Sequence, residues 1–136
     1  MTAANAELAR IVSYWVYMSR TETMSISAQF PDGTSKKDDE IPTKRLIADI
    51  QEHPEWSVRA VMARLLKQRK EKGVPEILLK TALTDNNLEV VKYAVISFRT
   101  ITEANVWGFF DFDGLEQWWK EHSAEVNERL RPLQGQ

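Results

Sequence analysis

The residues whose types and spacing favour chemistry lie near the carboxyl end of the chain, around His122. Trp118 precedes this histidine by one helical turn, and carboxylates lie within a dozen residues of it, at Asp111, Asp113, Glu116 and Glu121. A histidine among carboxylates can ligate a metal ion or transfer a proton. A histidine that packs on tryptophan along a helix face is the commoner arrangement, so we expect neither a metal site nor a catalytic residue here and keep a small hydrolase or metal enzyme near His122 only as the least favoured alternative function.

A second candidate is the densest basic stretch of the sequence, which starts at Arg59. Its other members are Arg64, Lys67, Arg69, Lys70 and Lys72. On one helix, Arg64, Lys67, Arg69, Lys70 and Lys72 could follow a phosphate backbone, which makes nucleic-acid binding an alternative function. Such binding would weaken steeply as salt rises. Because Glu71 interrupts the stretch and basic residues also favour a helix carboxyl end, we interpret it as a solvated helix end.

The composition argues against several classes of protein. The 136 residues carry a net charge of −2 and no cysteine, so disulfides and thiolate nucleophiles are excluded and no strong field draws in nucleic acid or an anionic membrane. The five glycines are scattered singly, which excludes a phosphate-cradling loop. We therefore expect a protein that is not an enzyme and uses no cofactor. The longest apolar run, 14–18, is too short for a membrane span or signal peptide, so we expect a cytoplasmic location.

The first 40 residues show two different patterns. Apolar residues at helical spacing predict an amphipathic helix over 1–20, namely Leu8, Ile11, Val12, Trp15 and Met18. Strict alternation from Met24 to Phe30 then predicts extended structure ending in a turn. Because the return segment 34–40 is nearly all polar, we expect no hairpin partner and interpret 21–40 as a partly extended arm or loop. An exposed strand edge there would favour a homodimer.

The most regular pattern in the sequence is an offset of 33 positions. It relates Pro42, Leu46, Ile50, Val58 and Arg59 to Pro75, Leu79, Leu83, Val91 and Lys92. A fixed period of this size is typical of stacked helical repeats. The pattern predicts two antiparallel helix pairs, with helices over 42–52, 54–72, 75–84 and 88–102. We expect Gly73 to end the second helix as a left-handed cap, and Asp85 to Asn87 to form the corner before the fourth.

The corners and the basic residue that follows them resemble the acidic-corner, Val-Arg pattern of HEAT-like, armadillo-type helical repeats. The match covers residues 41–102 and rests on Val58-Arg59 and Val91-Lys92. The resemblance implies an all-α chain, a short α-solenoid of antiparallel helix pairs whose long helices line a concave binding face. It implies a non-enzymatic protein-interaction or scaffold module with a protein partner of unknown identity. The implied binding residues are Arg59, Ala63, Lys67, Lys92, Tyr93, Ile96 and Thr100.

Arg59 and Lys92 have a second interpretation under the same resemblance. In HEAT-like stacks this basic position commonly ties to the acidic corners between repeats, which here means Glu52 and Asp85. We favour this structural role, a ladder of ion pairs between the corners, over contact with a partner protein. Breaking such a partly buried pair strands a charge and costs stability.

A last helix is predicted to begin near Asp113, where the spacing to Glu116 resembles a capping box. The aromatic segment from Phe109 through Trp119 resembles the double-tryptophan end of HEAT-like proteins from bacteria. Both tryptophans can be buried only if this helix has two neighbours, so Trp118 is a further candidate for partner binding. The predicted organisation is a single domain, 1–136, divided into 1–20 (N-terminal helix), 21–40 (arm), 41–73 (repeat 1), 74–104 (repeat 2) and 105–136 (capping helix).

Overall fold

Five α-helices account for most of residues 41–133 in the computed structural model. The structure describes 41–133 in full and, before them, the backbone of 27–29 and 35–37. The helices are α1 (Thr43–Glu52), α2 (Trp56–Leu65), α3 (Val74–Thr84), α4 (Leu88–Thr102) and α5 (Phe112–Arg129). The prediction of an all-α chain is confirmed over this range. The amphipathic helix predicted for 1–20 lies outside the described residues.

Two short strands precede the helices. β1 (Ser27–Gln29) pairs antiparallel with β2 (Ser35–Lys37), with Ala28 opposite Lys36. The expectation that the return segment offers no hairpin partner was therefore wrong. Backbone N–H and C=O groups form the ladder whatever the side chains, so a polar segment can pair as well as an apolar one.

The first helix pair begins at Pro42, which caps α1 with an extended backbone, and buries Leu46 and Ile50. The second helix of this pair, α2, ends at Leu65 and passes into a 3-10 turn over Leu66–Gln68, so the prediction of a helix as far as Lys72 was wrong. Gly73 has the expected left-handed backbone, with φ of 93°. Its place differs from the prediction, because it precedes α3 as that helix's N-cap instead of ending α2.

The second helix pair follows the prediction closely. α3 begins with Val74 and Pro75, where proline costs no hydrogen bond because the first turn has unpaired N–H groups. α4 spans the predicted 88–102. The corner residue Asn87 caps it, accepting hydrogen bonds through Oδ1 from the N–H groups of Glu89 at 2.9 Å and Val90 at 3.3 Å.

The helices pack in a simple order. α2 lies against α1 and α4, and α3 lies against α4 and α1. One apolar core fills the space between them, with Phe98, Leu46, Ile50, Met62, Leu66 and Leu78 among its largest fully buried side chains. The second helices of the two pairs, α2 and α4, therefore form one layer, and the first helices, α1 and α3, form the other.

The last helix closes this core on the side of the second pair. α5 contacts α3 and buries Leu115, Trp119 and Val126. Its N-cap is Asp111, which accepts a hydrogen bond from the N–H of Gly114 at 3.0 Å, so the cap lies two residues before the predicted Asp113. Nowhere in the described part of the chain is a helix both long and apolar enough to cross a membrane.

The chain after α5 returns to the loop between the two helix pairs. The N–H of Arg131 donates to the Lys70 carbonyl at 3.1 Å, and the N–H of Lys72 donates to the Arg131 carbonyl at 2.8 Å. Leu130 is buried beside them, with 7% of its surface exposed. These contacts join the end of the described chain to the middle of the stack.

Candidate functional site

Arg59 ties the two corners of the stack together. Its guanidinium donates to both carboxylate oxygens of Asp85, at 2.8 and 3.2 Å, and to the carbonyls of His53 at 2.9 Å and Pro54 at 3.0 Å. The two side chains are 13% and 8% exposed. The ladder interpretation is confirmed at this position, with Asp85 as the acidic partner. These N–H groups of Arg59 therefore bind groups of its own chain and not a partner protein.

Ala63 lies in the contact between the two long helices. Its surface is fully buried, and the hydroxyl of Ser97 on α4 donates to its carbonyl at 2.5 Å. Small side chains at both positions let the two backbones come close. The prediction that Ala63 faces a partner was wrong, because α4 already covers it.

The basic stretch does not lie on one helix. Arg64 belongs to α2, Lys67 lies half-buried in the 3-10 turn, and the following residues form the loop before α3. Lys70 and Lys72 are exposed in that loop. The prediction that 59–72 forms one basic helix able to follow a phosphate backbone was therefore wrong. Nucleic-acid binding itself stays a prediction.

Arg69 belongs to a polar cluster that fastens this loop to the start of α1. Its guanidinium donates to the Ile41 carbonyl at 2.6 Å and to the Thr43 hydroxyl oxygen at 3.1 Å. The Thr43 hydroxyl in turn donates to the Glu71 carboxylate, which is 4% exposed. A carboxylate so buried needs partners to offset its desolvation, and this cluster supplies them. Arg69 thus helps to fasten this loop to the start of α1.

The outer side of α4 carries the remaining predicted binding residues. Lys92, Tyr93 and Ile96 are half-buried, and Thr100 is exposed with its hydroxyl donating to the Ile96 carbonyl at 2.8 Å. Unlike Arg59, the Lys92 ammonium meets a residue of its own helix, Glu89, at 3.0 Å. That hydrogen bond raises the pKa of Lys92 above its ordinary 10.5, so the side chain is a cation at neutral pH. The ladder interpretation was wrong for this residue.

Trp118 is shared between the core and the surface. It packs edge-on against Phe98, with ring centroids 6.4 Å apart, and stacks on His122 at 4.3 Å. His122 Nδ1 lies 2.8 Å from the Trp118 carbonyl oxygen. The prediction that this histidine packs on tryptophan is confirmed. Trp119 takes the inner position, 9% exposed, while Trp118 stays partly accessible.

The loop between α4 and α5 presents three exposed aromatic side chains close together in the chain. Trp107 is completely exposed, Phe109 is 38% exposed and Phe110 is 46% exposed. Exposed apolar clusters of this kind mark interaction sites. The sequence interpretation assigned no role to these residues. The signal available was three aromatic residues within four positions around Gly108, a composition unusual for a solvated loop.

Hydrogen bonds fix this aromatic loop on both sides. Arg99 of α4 donates to the carbonyls of Val106 at 2.6 Å and Gly108 at 3.5 Å. The N–H of Asp111 donates to the Gly108 carbonyl at 3.3 Å. A Cβ on Gly114 would collide with the Asp111 carboxylate and approach Val106 to 3.1 Å, so a larger residue there would displace the side chain that caps α5. The loop is thus held in one shape.

Two surfaces remain as candidates for binding, the outer side of α4 and the aromatic loop. Groups of three or more His, Cys, Asp or Glu side chains able to hold a metal ion are absent from the described residues. Comparison of the chain with protein-family models, with curated proteins and with solved structures gives no match.

Proposed function

We propose that the chain is a non-enzymatic protein-interaction or scaffold module built on a short HEAT-like stack. Two features support the repeat. The first helices of the two pairs contact each other and the second helices contact each other, as in stacked pairs, and Arg59 joins one corner to the next through Asp85. In such stacks the layer of second helices is the usual binding face, which here consists of α2 and α4.

The observation that carries the proposal is the character of the outer side of α4. It combines a cation, Lys92, with the partly exposed apolar surface of Tyr93 and Ile96 and the exposed Thr100. The Lys92 ammonium lies 4.8 Å from the Tyr93 ring centroid, which keeps the charge beside the aromatic surface. Apolar and aromatic surface bordered by polar groups is the composition of protein interfaces. Lys67, from the turn after α2, would contribute at the edge of this surface.

Site-specific photo-crosslinking tests the proposal. A crosslinker at the exposed Thr100 should capture a protein from a lysate of the native host, and Lys92→Glu combined with Ile96→Glu should abolish that capture. Charge reversal at Lys67 should weaken it. The matched control is Lys80→Glu, an exposed lysine on α3. Capture that survives the α4 substitutions, or is lost equally in the control, would contradict this surface.

A further inference from the structure

We propose that the aromatic loop, Trp107 with Phe109 and Phe110, is a second docking surface, and that its occupant is a cationic and apolar polypeptide segment of a partner protein. The three residues follow one another in a loop that no other described element covers, since Trp107 is fully exposed. A Trp side chain presents a large apolar face, and burial of that face is a major source of binding energy at interfaces. Its residues lie in the loop after α4, whereas the first proposed surface lies on α4 itself.

The loop is built to hold its aromatic rings outward. On one side Ala104 is buried and Val106 packs against the core, and on the other Phe112 does the same. Between these anchors, Phe109 and Phe110 pack edge-on with ring centroids 4.6 Å apart. A preformed surface loses little conformational entropy when a partner binds. Phe109 and Phe110 therefore form a preformed apolar surface beside the exposed Trp107.

The charge around this surface selects the chemistry of the occupant. Residues 103–119 contain four carboxylates and no lysine or arginine, and Arg99 of α4, a cation that contacts the loop, has its guanidinium hydrogen-bonded to two of the loop carbonyls. Glu103 pairs with Arg129 and Asp111 caps α5, whereas Asp113 and Glu116 are exposed and form no ion pair within the described residues. They share one face of the first turn of α5, next to the loop.

Carboxylates beside exposed aromatic faces favour arginine or lysine, because the cation meets both the negative charge and the ring quadrupole. The same carboxylates repel phosphate groups. A nucleic acid or an anionic lipid surface is therefore disfavoured at this loop, although exposed Trp and Phe alone would suit a membrane interface. A basic side chain next to an aliphatic one on a polypeptide satisfies both the charge and the apolar surface.

Binding of the full chain to short synthetic peptides tests this assignment. The probe is a peptide of alternating arginine and leucine, compared with one of glutamate and leucine and with vesicles of phosphatidylserine and of phosphatidylcholine. We expect binding to the arginine peptide that weakens as salt rises, and no binding to the glutamate peptide. Equal binding of both peptides, or binding to vesicles alone, would overturn the proposal.

Substitutions then locate the binding. Trp107→Ser should weaken binding of the arginine peptide by about tenfold or more, as for a central interface tryptophan. Asp113→Asn combined with Glu116→Gln should weaken it by several-fold and flatten the salt dependence. The control is Leu88→Ser, another exposed apolar residue, at 70% exposure. Because Trp107 makes no buried contact, its substitution leaves the fold intact, which circular dichroism checks, and undiminished binding by this variant would refute the assignment.

The proposals for the two surfaces can be tested independently of each other. Lys92→Glu combined with Ile96→Glu should leave binding of the arginine peptide unchanged, since these residues lie on α4 and not in the loop. Loss of peptide binding in that variant would contradict a separate site in the loop. Retention would support it, whatever the crosslinking at Thr100 gives.

Discussion

Arg59 occupies a position that a lysine could not fill equally well. A guanidinium offers five N–H donors in a planar fork, and Arg59 uses them on one carboxylate and two carbonyls. An ammonium is a compact point charge that cannot reach both oxygens of Asp85 and the corner carbonyls together. Lys92, which lies 33 positions later in the chain, has no such network and pairs at the surface with Glu89.

Substitution of Arg59 should therefore be costly. We expect Arg59→Ala to lower the free energy of unfolding by about 3 kcal/mol, because Asp85 would be left buried without its cation. Arg59→Lys should recover less than half of that loss. Lys92→Ala, the matched control in an exposed pair, should change it by less than about 1 kcal/mol. Urea denaturation measures all three, and similar effects for Arg59→Ala and Lys92→Ala would show that the corner network adds no stability.

Helical spacing predicted contacts between residues close in the chain, whereas the distant Arg59–Asp85 pair was predicted through the HEAT-like resemblance and other distant contacts were missed. The histidine–tryptophan stack at His122 follows from helical spacing alone. The burial of Ala63 does not, because it depends on α4 crossing α2 with Ser97 in register. The Arg69 cluster likewise needs Ile41 and Thr43, which lie at the start of α1, more than 25 positions earlier in the chain. Spacing along one helix cannot reveal such contacts.

At the scale of helices, local signals fixed the bounds of the second pair better than those of the first. Asn87 is a strong N-cap, and Pro75 suits a first turn, so α3 and α4 were predicted within a residue. The end of α2 was missed because a left-handed glycine can end one helix or precede the next. Hydrogen bonds among Arg69, Thr43 and Glu71 fasten the loop between α2 and α3 to the start of α1. No local sequence signal predicts these bonds.

The cap of α4 gives a prediction at this scale. Asn87→Ala removes the acceptor for two N–H groups and should lower the free energy of unfolding by about 1 kcal/mol. Asn105→Ala, at an exposed loop position after the same helix, should have an effect within about 0.5 kcal/mol of zero. Thermal denaturation of both variants provides the measurement. Equal effects would mean that the α4 cap contributes nothing measurable.

At the scale of the whole molecule, the aromatic contacts of Phe98 join α4 to α5. Phe98 is 1% exposed and packs edge-on against both Trp118 and Trp119, the latter at 5.7 Å between ring centroids. The backbone bonds of Arg131 then bring the end of the chain back to the loop between the helix pairs. The 33-residue period gives no sign of this closure, since neither α5 nor the tail repeats. The described helices should therefore behave as one cooperative unit.

Loss of the Phe98 ring tests this cooperativity. Phe98→Ala should lower the free energy of unfolding by about 3–5 kcal/mol, the range for removing a buried aromatic ring.

In the unchanged protein, urea transitions followed by far-ultraviolet circular dichroism and by tryptophan fluorescence should coincide, since α5 carries two of the five tryptophans and the other helices carry most of the dichroism signal. If α5 were only an appendage on the stack, fluorescence would change before the helical signal, and Phe98→Ala would separate the two transitions further. In a single unit, the substitution shifts both midpoints together to lower urea, because the cavity it leaves lies between α4 and α5 and weakens every contact that depends on their packing.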